Sequence, residues 1–397
     1  MSKRWTYAKL GDIADVQSGG TPSVANSDFW GGDIPWYSSG ELNEVLTVAP
    51  ERRITEAGLA GSNAKLFPAG SLLVGMYDTA AMKMSILDRD AAFNQAIAGV
   101  KPNDALNIRF VFYALNSIKD ELLGQRRGVR QKNLSLGKVR EFPIPLCPLG
   151  EQHRIVTLLD EAFEGIATAK AHAEQNLRNS RTLFETLLSH ALARGNSGWR
   201  EVSLADATGG VCTGPFGSLL HKSDYVENGI PLINPAHITD VGFAPDFRKS
   251  VSALTAQRLS SYLLHQGDIV IGRRGEMGRC AVVSKAEEGW LCGTGSFIIR
   301  SSSQCDSRFL ARLLRSEGCK KRLEKIAGGA VMPNLSNSDL GDFLISLPPL
   351  DVQREILREV DVMAQEIERL EGIYQRKLTA LTELQQSLLH QAFTGKL

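Results

Sequence analysis

Apolar residues recur at alternating steps of four and three positions along the last part of the chain. The stripe consists of Ile356, Val360, Met363, Ile367, Leu370, Tyr374, Lys377, Leu381, Leu384 and Leu388, of which only Lys377 is charged. This spacing predicts one long helix over residues 350–397, with a seam typical of a coiled coil. Pro348 and Pro349 stand directly upstream, where they would stop the helix. About 42 residues at 1.5 Å per residue give a rod of roughly 60 Å.

A matching stripe lies 201 positions earlier and uses smaller residues in its middle. It consists of Ile155, Leu159, Ala162, Ile166, Ala169, Ala173, Asn176, Ser180, Leu183 and Leu187. We therefore expect two helices, over 150–195 and 350–397, that pack together with small side chains opposite large ones. If a pseudo-two-fold axis relates them, they run antiparallel, and the segments that precede them lie at opposite ends. The alternative that each helix packs on the globule before it stays open.

Segments outside the helices also occur twice. Trp5–Asp12 returns as Trp199–Asp206, Gly70–Gly75 as Gly267–Gly272, and Asn133–Ser135 as Asn334–Ser336. A period near 200 residues is too long for a solenoid or a propeller, so it indicates two copies of one unit. The predicted domains are a first globule over 1–149, a first long helix over 150–195, a second globule over 196–349 and a second long helix over 350–397.

The apolar pattern of the globules favours a mixed α/β or α+β fold. Leu72–Gly75 and Ile269–Gly272 are short apolar runs that follow a glycine, as buried strands do, and Phe297–Ile299 is similar. Helical periodicity over 109–123 and 308–326 predicts one helix in each copy. The expected architecture is two such globules joined by two long antiparallel coiled-coil helices, with pseudo-two-fold symmetry.

Composition narrows the class of protein. The chain has 397 residues, 43% of them hydrophobic, and a net charge of only +1, so total charge does not indicate a general polyanion binder. Six cysteines form no Cys-x-x-Cys pair, and His221 and His237 have no second ligand at metal spacing, so we expect reduced thiols and no metal site. The sequence has no apolar run of about 18 residues and no signal-like start, which favours a cytoplasmic protein.

In its motifs the chain resembles the specificity subunits of Type I restriction-modification systems. The motifs are Ser18–Pro22, Asp33–Trp36, Pro145–Gln152, Gly229–Pro231, Gln266–Gly272, Leu347–Leu350 and Gln391–Leu397. No single motif is chemically specific, but their order, repeated twice, is. Cys147 and Val352 depart from the usual family pattern, both at helix starts.

The resemblance implies a DNA-reading role. Each globule would be a target recognition domain for one half of a bipartite, non-palindromic site in double-stranded DNA. The paired helices would dock methyltransferase (modification) subunits, and restriction or translocase subunits would join the complex. The chain itself would hold no cofactor, because S-adenosylmethionine, ATP and Mg²⁺ are expected in the partner subunits. No membrane partner is expected.

Clusters of basic residues suit contact with DNA phosphates, which fixes register without reading sequence. The predicted phosphate contacts are Arg126, Arg127, Arg130 and Lys132 in the first copy and Lys320 and Lys321 in the second. A solvated helix face would explain the second cluster equally well.

Residues on exposed loops are the candidates for reading bases. Arginine can bind guanine through two hydrogen bonds, so Arg273 and Arg274, which stand between glycines after a predicted strand, are the first choice. Their counterpart in the first copy is Met76–Thr79, which has different chemistry. The further DNA-binding candidates are Ser18, Thr21, Tyr37, Ser38, His221, Lys222, Arg248 and Lys249. Trp36 is expected in the core.

The alternatives are an enzyme that itself modifies or cuts DNA and a scaffold that binds only proteins. An adenine methyltransferase would show an Asn/Asp-Pro-Pro-aromatic motif, which Asn234-Pro235-Ala236 lacks, and Gly293-Thr294-Gly295 is too short a glycine motif to indicate a cofactor loop. No lysine has an acidic residue two positions before it, as common metal-dependent nucleases do. We therefore predict a non-catalytic subunit. The second alternative is a coiled-coil scaffold that binds proteins without sequence-specific DNA binding.

Overall fold

A computed structural model describes residues 5–124, 134–193, 199–239, 241–328 and 334–397. The chain divides into two compact units, one made of Met1–Glu174 with Gln375–Leu397 and the other of Gln175–Tyr374. Each unit therefore contains one globule, part of the long helix that follows it and part of the other long helix.

The first globule and the helix after it contain nine strands and six α-helices within the described residues. The strands are β1 (Thr6–Lys9), β2 (Val16–Ser18), β3 (Trp30–Tyr37), β4 (Arg52–Ile54), β5 (Leu72–Gly75), β6 (Met84–Ile86), β7 (Ala92–Phe93), β8 (Ile97–Val100) and β9 (Pro143–Leu146). The helices are α1 (Leu10–Ile13), α2 (Glu56–Ala60), α3 (Ile108–Ser117), α4 (Lys119–Gly124), α5 (Leu136–Arg140) and the long α6 (Leu149–Ala193).

The second globule and its helix repeat this order with three additional short strands. The strands are β10 (Arg200–Ser203), β11 (Val211–Thr213), β12 (Tyr225–Val226), β13 (Ile230–Ile233), β14 (Ile238–Thr239), β15 (Gly242–Phe243), β16 (Ser250–Val251), β17 (Ile269–Gly272), β18 (Cys280–Val282), β19 (Leu291–Cys292), β20 (Ser296–Ile299) and β21 (Leu344–Leu347). The helices are α7 (Leu204–Ala207), α8 (Ala253–Arg258), α9 (Ser307–Arg315), α10 (Glu317–Ile326), α11 (Asn337–Gly341) and the long α12 (Leu350–Phe393).

The strands of the two globules pair in the same pattern. A four-stranded antiparallel sheet has the order β2-β8-β5-β6 in the first globule and β11-β20-β17-β18 in the second. A second sheet is mixed, with three strands (β4-β3-β7) in the first globule and four (β12-β16-β13-β19) in the second. Its strands alternate along the chain with those of the antiparallel sheet, and β1-β9 and β10-β21 form two further pairs. The predicted α/β class and the doubling of the fold are therefore confirmed.

The central strands form where the sequence predicts buried strands. All residues of β5 and of β17 are buried, because both faces of these strands are covered. The chain turns into β5 at Gly70, whose φ is 82°, and into β17 after Gly267, whose φ is 90°. Glycine adopts this left-handed conformation without strain, which explains why it precedes both strands.

The two predicted globular helices are each broken in the middle. The periodicity over 308–326 predicts one helix, but α9 ends at Arg315 and α10 begins at Glu317. Ser316 has an extended backbone, and its side chain accepts from the backbone N–H of Cys319, so it caps α10. In the first copy α3 and α4 are separated at Ile118, whose backbone is not extended (φ −112°, ψ 7°). Apolar periodicity continues across such a break, so the pattern alone did not show it.

In the first unit, the start of α6 runs antiparallel to the end of α12. The Lys170 side chain bonds to Gln385, and that of Arg154 bonds to the carbonyl of Leu397, so sequence numbers rise along one helix as they fall along the other. Ile155 also belongs to the core cluster that contains α3 and Phe393. The helix therefore packs on its own globule as well as on the other helix.

The second unit shows the same arrangement with the helix parts exchanged. Arg181 Nε donates to Glu371 Oε1 at 2.7 Å, and Leu188 shares a core cluster with Ile356 and Val360. The pairing is antiparallel because the residue nearer the end of α6 meets the residues nearer the start of α12. The predicted antiparallel pairing is confirmed within each unit. The alternative, that each helix packs on its own globule, holds only in part, because the helices contact their globules in addition to each other.

A buried glutamine near the start of each long helix attaches the helix to its globule. The Oε1 atom of Gln152 accepts from the backbone N–H of Asn107 at 2.8 Å. Gln353 accepts from the N–H of Asp306 at 2.8 Å and donates to the carbonyl of Pro348 at 2.8 Å. Because buried polar groups are costly without partners, these bonds explain a glutamine inside two apolar cores.

Candidate nucleic-acid interface

One end of each four-stranded sheet brings together loops that are far apart in sequence. In the first globule β2 ends at Ser18 opposite Ala98, β5 ends at Gly75 opposite Ile97, and β6 begins on the same side. The loops after Ser18, after Gly75 and before Ile97 therefore meet. We call this edge of each globule its loop end. In the second globule it contains the loops after β11 and β17 and before β20.

The loop end has matching backbone hydrogen bonds in both copies. In the first globule the N–H of Met76 donates to Ala96 O at 2.9 Å, and the N–H of Leu134 donates to Met76 O at 2.6 Å. In the second globule Arg273 makes the same two bonds, accepting from Leu335 at 3.1 Å and donating to residue 295 at 2.9 Å. Met76 and Arg273 are thus structurally equivalent, as the repeat predicts.

The side chains on this shared backbone differ. Met76 is buried, with 1% of its surface exposed, while the next residue, Tyr77, is 36% exposed. Arg273 is half-buried, and its Nε donates to Leu335 O at 3.0 Å. Arg274 is exposed, and its Nε donates to Asn334 Oδ1 at 3.2 Å. Of the two arginines predicted first as base readers, Arg273 is therefore half-buried, whereas Arg274 is exposed to solvent.

The loop also differs in length. Lys83 N donates to Ala80 O and Arg279 N donates to Glu276 O, which makes Ala80 equivalent to Glu276. Three residues separate Met76 from Ala80, whereas two separate Arg273 from Glu276, so the first copy has one additional residue. The two globules therefore present loops of different shape at equivalent places.

The glycine-rich segment after β2 is required by packing. A Cβ atom on Gly19 would lie 2.1 Å from Phe93 O, and one on Gly214 would lie 2.0 Å from Gly293 O. Only glycine permits this approach of two backbones in either copy. Of the predicted contacts in this segment, Thr21 is exposed and Ser18 is half-buried. Both lie at the loop end.

Tyr37 is a correction to the predicted interface. The sequence suggests a loop after Ile34-Pro35, but β3 continues to Tyr37, which pairs with Phe93 and is 1% exposed. Its hydroxyl donates to Val48 O at 2.7 Å, so the side chain is a core residue and does not reach DNA. Trp36 is buried as expected, and the half-buried Ser38 caps a short 3₁₀ turn with Glu41.

The basic clusters are placed differently from each other. Arg126, Arg127, Arg130 and Lys132 lie outside the described residues, so their assignment stays a prediction. In the second copy the half-buried Lys320 lies 3.6 Å from Glu276 and 3.2 Å from Glu317, and Lys321 is exposed. The contact with Glu276 places α10 beside the loop end, but it also neutralises part of the charge of Lys320.

The remaining predicted contacts lie around the mixed sheet of the second globule. His221 and Lys222 are exposed before β12, and Arg248 and Lys249 are exposed before β16. Because these two strands are antiparallel, the two pairs of residues flank opposite ends of the ladder. The Arg248 guanidinium lies 2.9 Å from Asp246 and lowers the pKa of that carboxyl group.

The six cysteines form no disulfide with one another. Burial raises the pKa of Cys280 and of Cys305 to about 12, so these two thiols stay protonated. Within the described residues no group of histidine, cysteine, aspartate or glutamate is arranged to hold a metal ion. No helix in the described part of the chain combines the length and apolarity needed to cross a membrane.

A protein-family model described as the Type I restriction modification DNA specificity domain matches residues 2–177 and, a second time, residues 197–376. The chain belongs to this family. The two matches correspond to the two copies found in the sequence, each with its helix. The family is that of the specificity subunits which the repeated motifs resemble.

Individual relatives extend the likeness over the full chain. The specificity subunit of Type I restriction enzyme MjaIX from Methanocaldococcus jannaschii is 22% identical over 420 residues, covering 100% of this chain and 94% of that one. The specificity subunit of the EcoR124I/EcoR124II enzyme from Escherichia coli is 30% identical over 167 residues, covering 39% of this chain and 40% of that one.

Solved structures show the same fold. A chain from a study of complex assembly and conformational transition of the type I R-M system has a TM-score of 0.79, with 20% identity and coverage of 99% and 98%. The HsdS subunit from Thermoanaerobacter tengcongensis has a TM-score of 0.61, with 19% identity and coverage of 99% and 97%. At these identities the likeness supports the fold, while the family match supports the type of subunit.

Three residues at the loop end were missed by sequence reasoning: Asn63, Lys65 and Gln95. They line a groove with Ser18 and Thr21. The sequence does contain an indication for Gln95, because it aligns with Thr294 of the Gly293-Thr294-Gly295 motif in the second copy. That motif is too short to indicate a cofactor loop, but it marks a loop that approaches another backbone. The sequence contains no such indication for Asn63 and Lys65, since only the folded chain brings them to this place.

Proposed function

We propose that the chain reads a bipartite, non-palindromic DNA site, with one half-site read at the loop end of each globule. The observation that carries this proposal is the pair of equivalent residues Met76 and Arg273, which share their backbone hydrogen bonds and differ in chemistry. A single framework with two unlike sets of side chains is what two different half-sites require.

In the second globule Arg274 is the proposed base reader. Its Nη atoms make no hydrogen bond or ion pair with other described residues, while its Nε is tied to Asn334. A guanidinium held at Nε still presents two donors, which match the O6 and N7 acceptors of guanine. Arg273 is assigned mainly to holding the loop, because it is half-buried and its guanidinium lies 5.9 Å from the centre of the Phe297 ring.

The basic residues have a different proposed role. Lys321 beside the loop end is an exposed cation on α10, suited to a phosphate group. The sequence assigns Arg126, Arg127, Arg130 and Lys132 to the same task in the first copy, and that assignment stays a prediction. His221, Lys222, Arg248 and Lys249 are exposed around the mixed sheet of the second globule, and their contact with DNA stays a prediction.

The long helices are the proposed docking site for the methyltransferase subunits. They carry exposed apolar side chains that would supply contacts to a partner: Leu158 and Leu183 on α6, and Val362, Ile373 and Leu384 on α12. The catalytic work, with S-adenosylmethionine, and any ATP- and Mg²⁺-dependent cutting would belong to those partners. This chain would be the non-catalytic reader, in the cytoplasm where the partners and DNA are found.

One experiment tests the proposal. The chain is expressed with its partner modification subunits, and N6-methyladenine is mapped across the host genome. We expect one motif made of two different half-sites separated by a constant gap. A palindromic motif, or methylation without sequence preference, would contradict the proposal.

A protein-binding scaffold is the alternative, and the family match does not favour it. The two can be separated by DNA retention at rising salt. A specific reader holds its site far more tightly than bulk DNA, with a salt dependence set by its phosphate contacts. A scaffold would show no preference among sequences.

A further inference from the structure

A polar groove of about 700 Å³ opens beside the loop end of the first globule. Its walls include Ser18, Thr21, Asn63, Lys65 and Gln95, and no carboxylate is among the described residues that line it. A groove without acidic side chains suits a polyanion, because it adds no repulsion to bound phosphates.

The walls of the groove are held by backbone contacts. Gly20 N donates to Phe93 O at 2.9 Å, and a Cβ on Gly20 would lie 2.3 Å from the carbonyl carbon of Asn63. The residue after Gln95, Ala96, accepts from Met76. The groove therefore joins the glycine segment, the loop before β8 and the loop after β5 in one structure.

Two side-chain amides face this groove with donors still available. The Oε1 atom of Gln95 accepts from the Thr21 hydroxyl at 2.5 Å, while its NH₂ group has no partner among the described residues. Asn63 is exposed and makes no side-chain hydrogen bond within the described part of the chain. The Lys65 ammonium lies 2.9 Å from Gln17 Oε1 and pairs with no carboxylate there.

The amide of Gln95 is particular to the first globule. Asn94 N donates to Tyr37 O, and Gly293 N donates to Ile233 O, so the two loops are equivalent and Gln95 corresponds to Thr294. An amide presents a donor and an acceptor side by side, which matches N7 and N6 of adenine, whereas a threonine hydroxyl reads no base uniquely. An amide in one globule and a hydroxyl in the other would bind different bases, as two different half-sites require.

From this geometry we infer that Gln95 and Asn63 each read one adenine, at separate positions of the half-site recognised by the first globule. Lys65 binds a neighbouring phosphate, and Thr21 is a positioning residue that orients the amide of Gln95. The inference rests on the proposed function, and it assigns base chemistry to residues outside the predicted set.

The test compares single variants in the complex with the partner subunits, by methylation mapping and by DNA binding over a range of salt concentrations. Gln95→Ala and Asn63→Ala should each lower discrimination at one A·T position of the first half-site by about 5- to 100-fold. The second half-site should be unchanged, which also shows that the complex is folded. The salt dependence should not change, because no phosphate contact is lost.

Two further variants separate the roles. Lys65→Gln should weaken binding to all sequences and lower the slope of log K against log salt by about 1. Thr21→Val should lose part of the discrimination that Gln95→Ala loses, and Thr21→Ser should restore it. Gln304→Ala is the matched control, since Gln304 is an exposed glutamine after β20, at the opposite end of the equivalent sheet in the second globule.

The outcomes are distinct. Unchanged base preference in both Gln95→Ala and Asn63→Ala would overturn the inference, and so would a uniform loss across sequences with an altered salt slope. An effect of equal size in Gln304→Ala would also overturn it. If instead the unmodified complex shows no sequence preference, the proposed function itself fails.

Discussion

The loop ends of the two globules share backbone hydrogen bonds but differ in loop length and in side-chain chemistry. The first presents Tyr77 and the amide of Gln95, and its equivalent of Arg273 is a buried methionine. The second presents the exposed guanidinium of Arg274 and has Thr294 in place of the amide. Hydrogen bonds between backbone atoms do not depend on side chains, so the framework can stay constant while the exposed residues change. The comparison indicates that backbone hydrogen bonds fix the position of the loop in both globules, while the exposed side chains determine what the loop can bind.

The largest effect is expected from breaking one core while leaving the other intact. Phe110 and Phe309 are fully buried at equivalent places in the two globules. Phe309→Ala should lower the free energy of unfolding of its unit by about 3–5 kcal/mol, because truncating a buried phenylalanine leaves a cavity. Methylation mapping should show loss of the second half-site only, and Phe110→Ala should show the reverse. Equal loss of both half-sites in each variant would contradict two separate readers.

Replacing the buried glutamines Gln152 and Gln353 should destabilise the two units by similar amounts. Gln353→Leu leaves the N–H of Asp306 and the carbonyl of Pro348 without partners, and should cost about 2–4 kcal/mol in urea unfolding. Gln152→Leu should cost a similar amount. A difference of more than about 2 kcal/mol between the two would mean that the shared backbone is not equally supported.

The exposed residues should show that the readers are different. Arg274→Ala should remove about 1–3 kcal/mol of discrimination at one position of the second half-site and leave the first half-site unchanged. Tyr77→Ala is the reciprocal variant, and its effect should be confined to the first half-site. Methylation mapping of both variants measures this. If Arg274→Ala keeps the parent motif at full efficiency, that residue does not read a base.

The smallest effect is a difference in pH dependence. Asp160 accepts from Tyr113 in the first unit, and Asp361 accepts from Arg312 at the equivalent place in the second. Burial, together with the hydrogen bond to Asp160, raises the pKa of Tyr113 to about 12.

The folded state favours the neutral phenol of Tyr113, so ionisation of Tyr113 at high pH lowers the free energy of unfolding. The stability it contributes is fully present below pH 10 and is lost as pH rises from about 10 to about 12, by up to about 2 kcal/mol. Tyr113→Phe should remove this part of the pH dependence, as measured by urea unfolding at several pH values. An unchanged slope between pH 10 and 12 in that variant would contradict the assignment to Tyr113.

Some parts of the fold followed directly from the pattern of residues. The strands over Leu72–Gly75 and Ile269–Gly272 were predicted because short apolar runs after glycine leave few alternatives. The break at Ser316 was not predicted, because apolar periodicity continues on both sides of a cap. Tyr37 was assigned to a loop because the sequence does not show that β7, more than 50 residues later, extends the sheet beside it.

The sequence by itself determined that the chain holds two copies of one unit, each an α/β globule followed by a long helix, with unlike residues at equivalent loops. These features are local or repeat at a constant offset, so they can be seen without coordinates. Only the tertiary structure decided which residues reach the loop end together. Ser18, Asn63 and Gln95 meet because antiparallel strands bring distant loops to one edge, and Tyr37 is excluded because a parallel neighbour buries it. Pairing between remote strands is set by packing of the whole globule, which residue type alone does not encode.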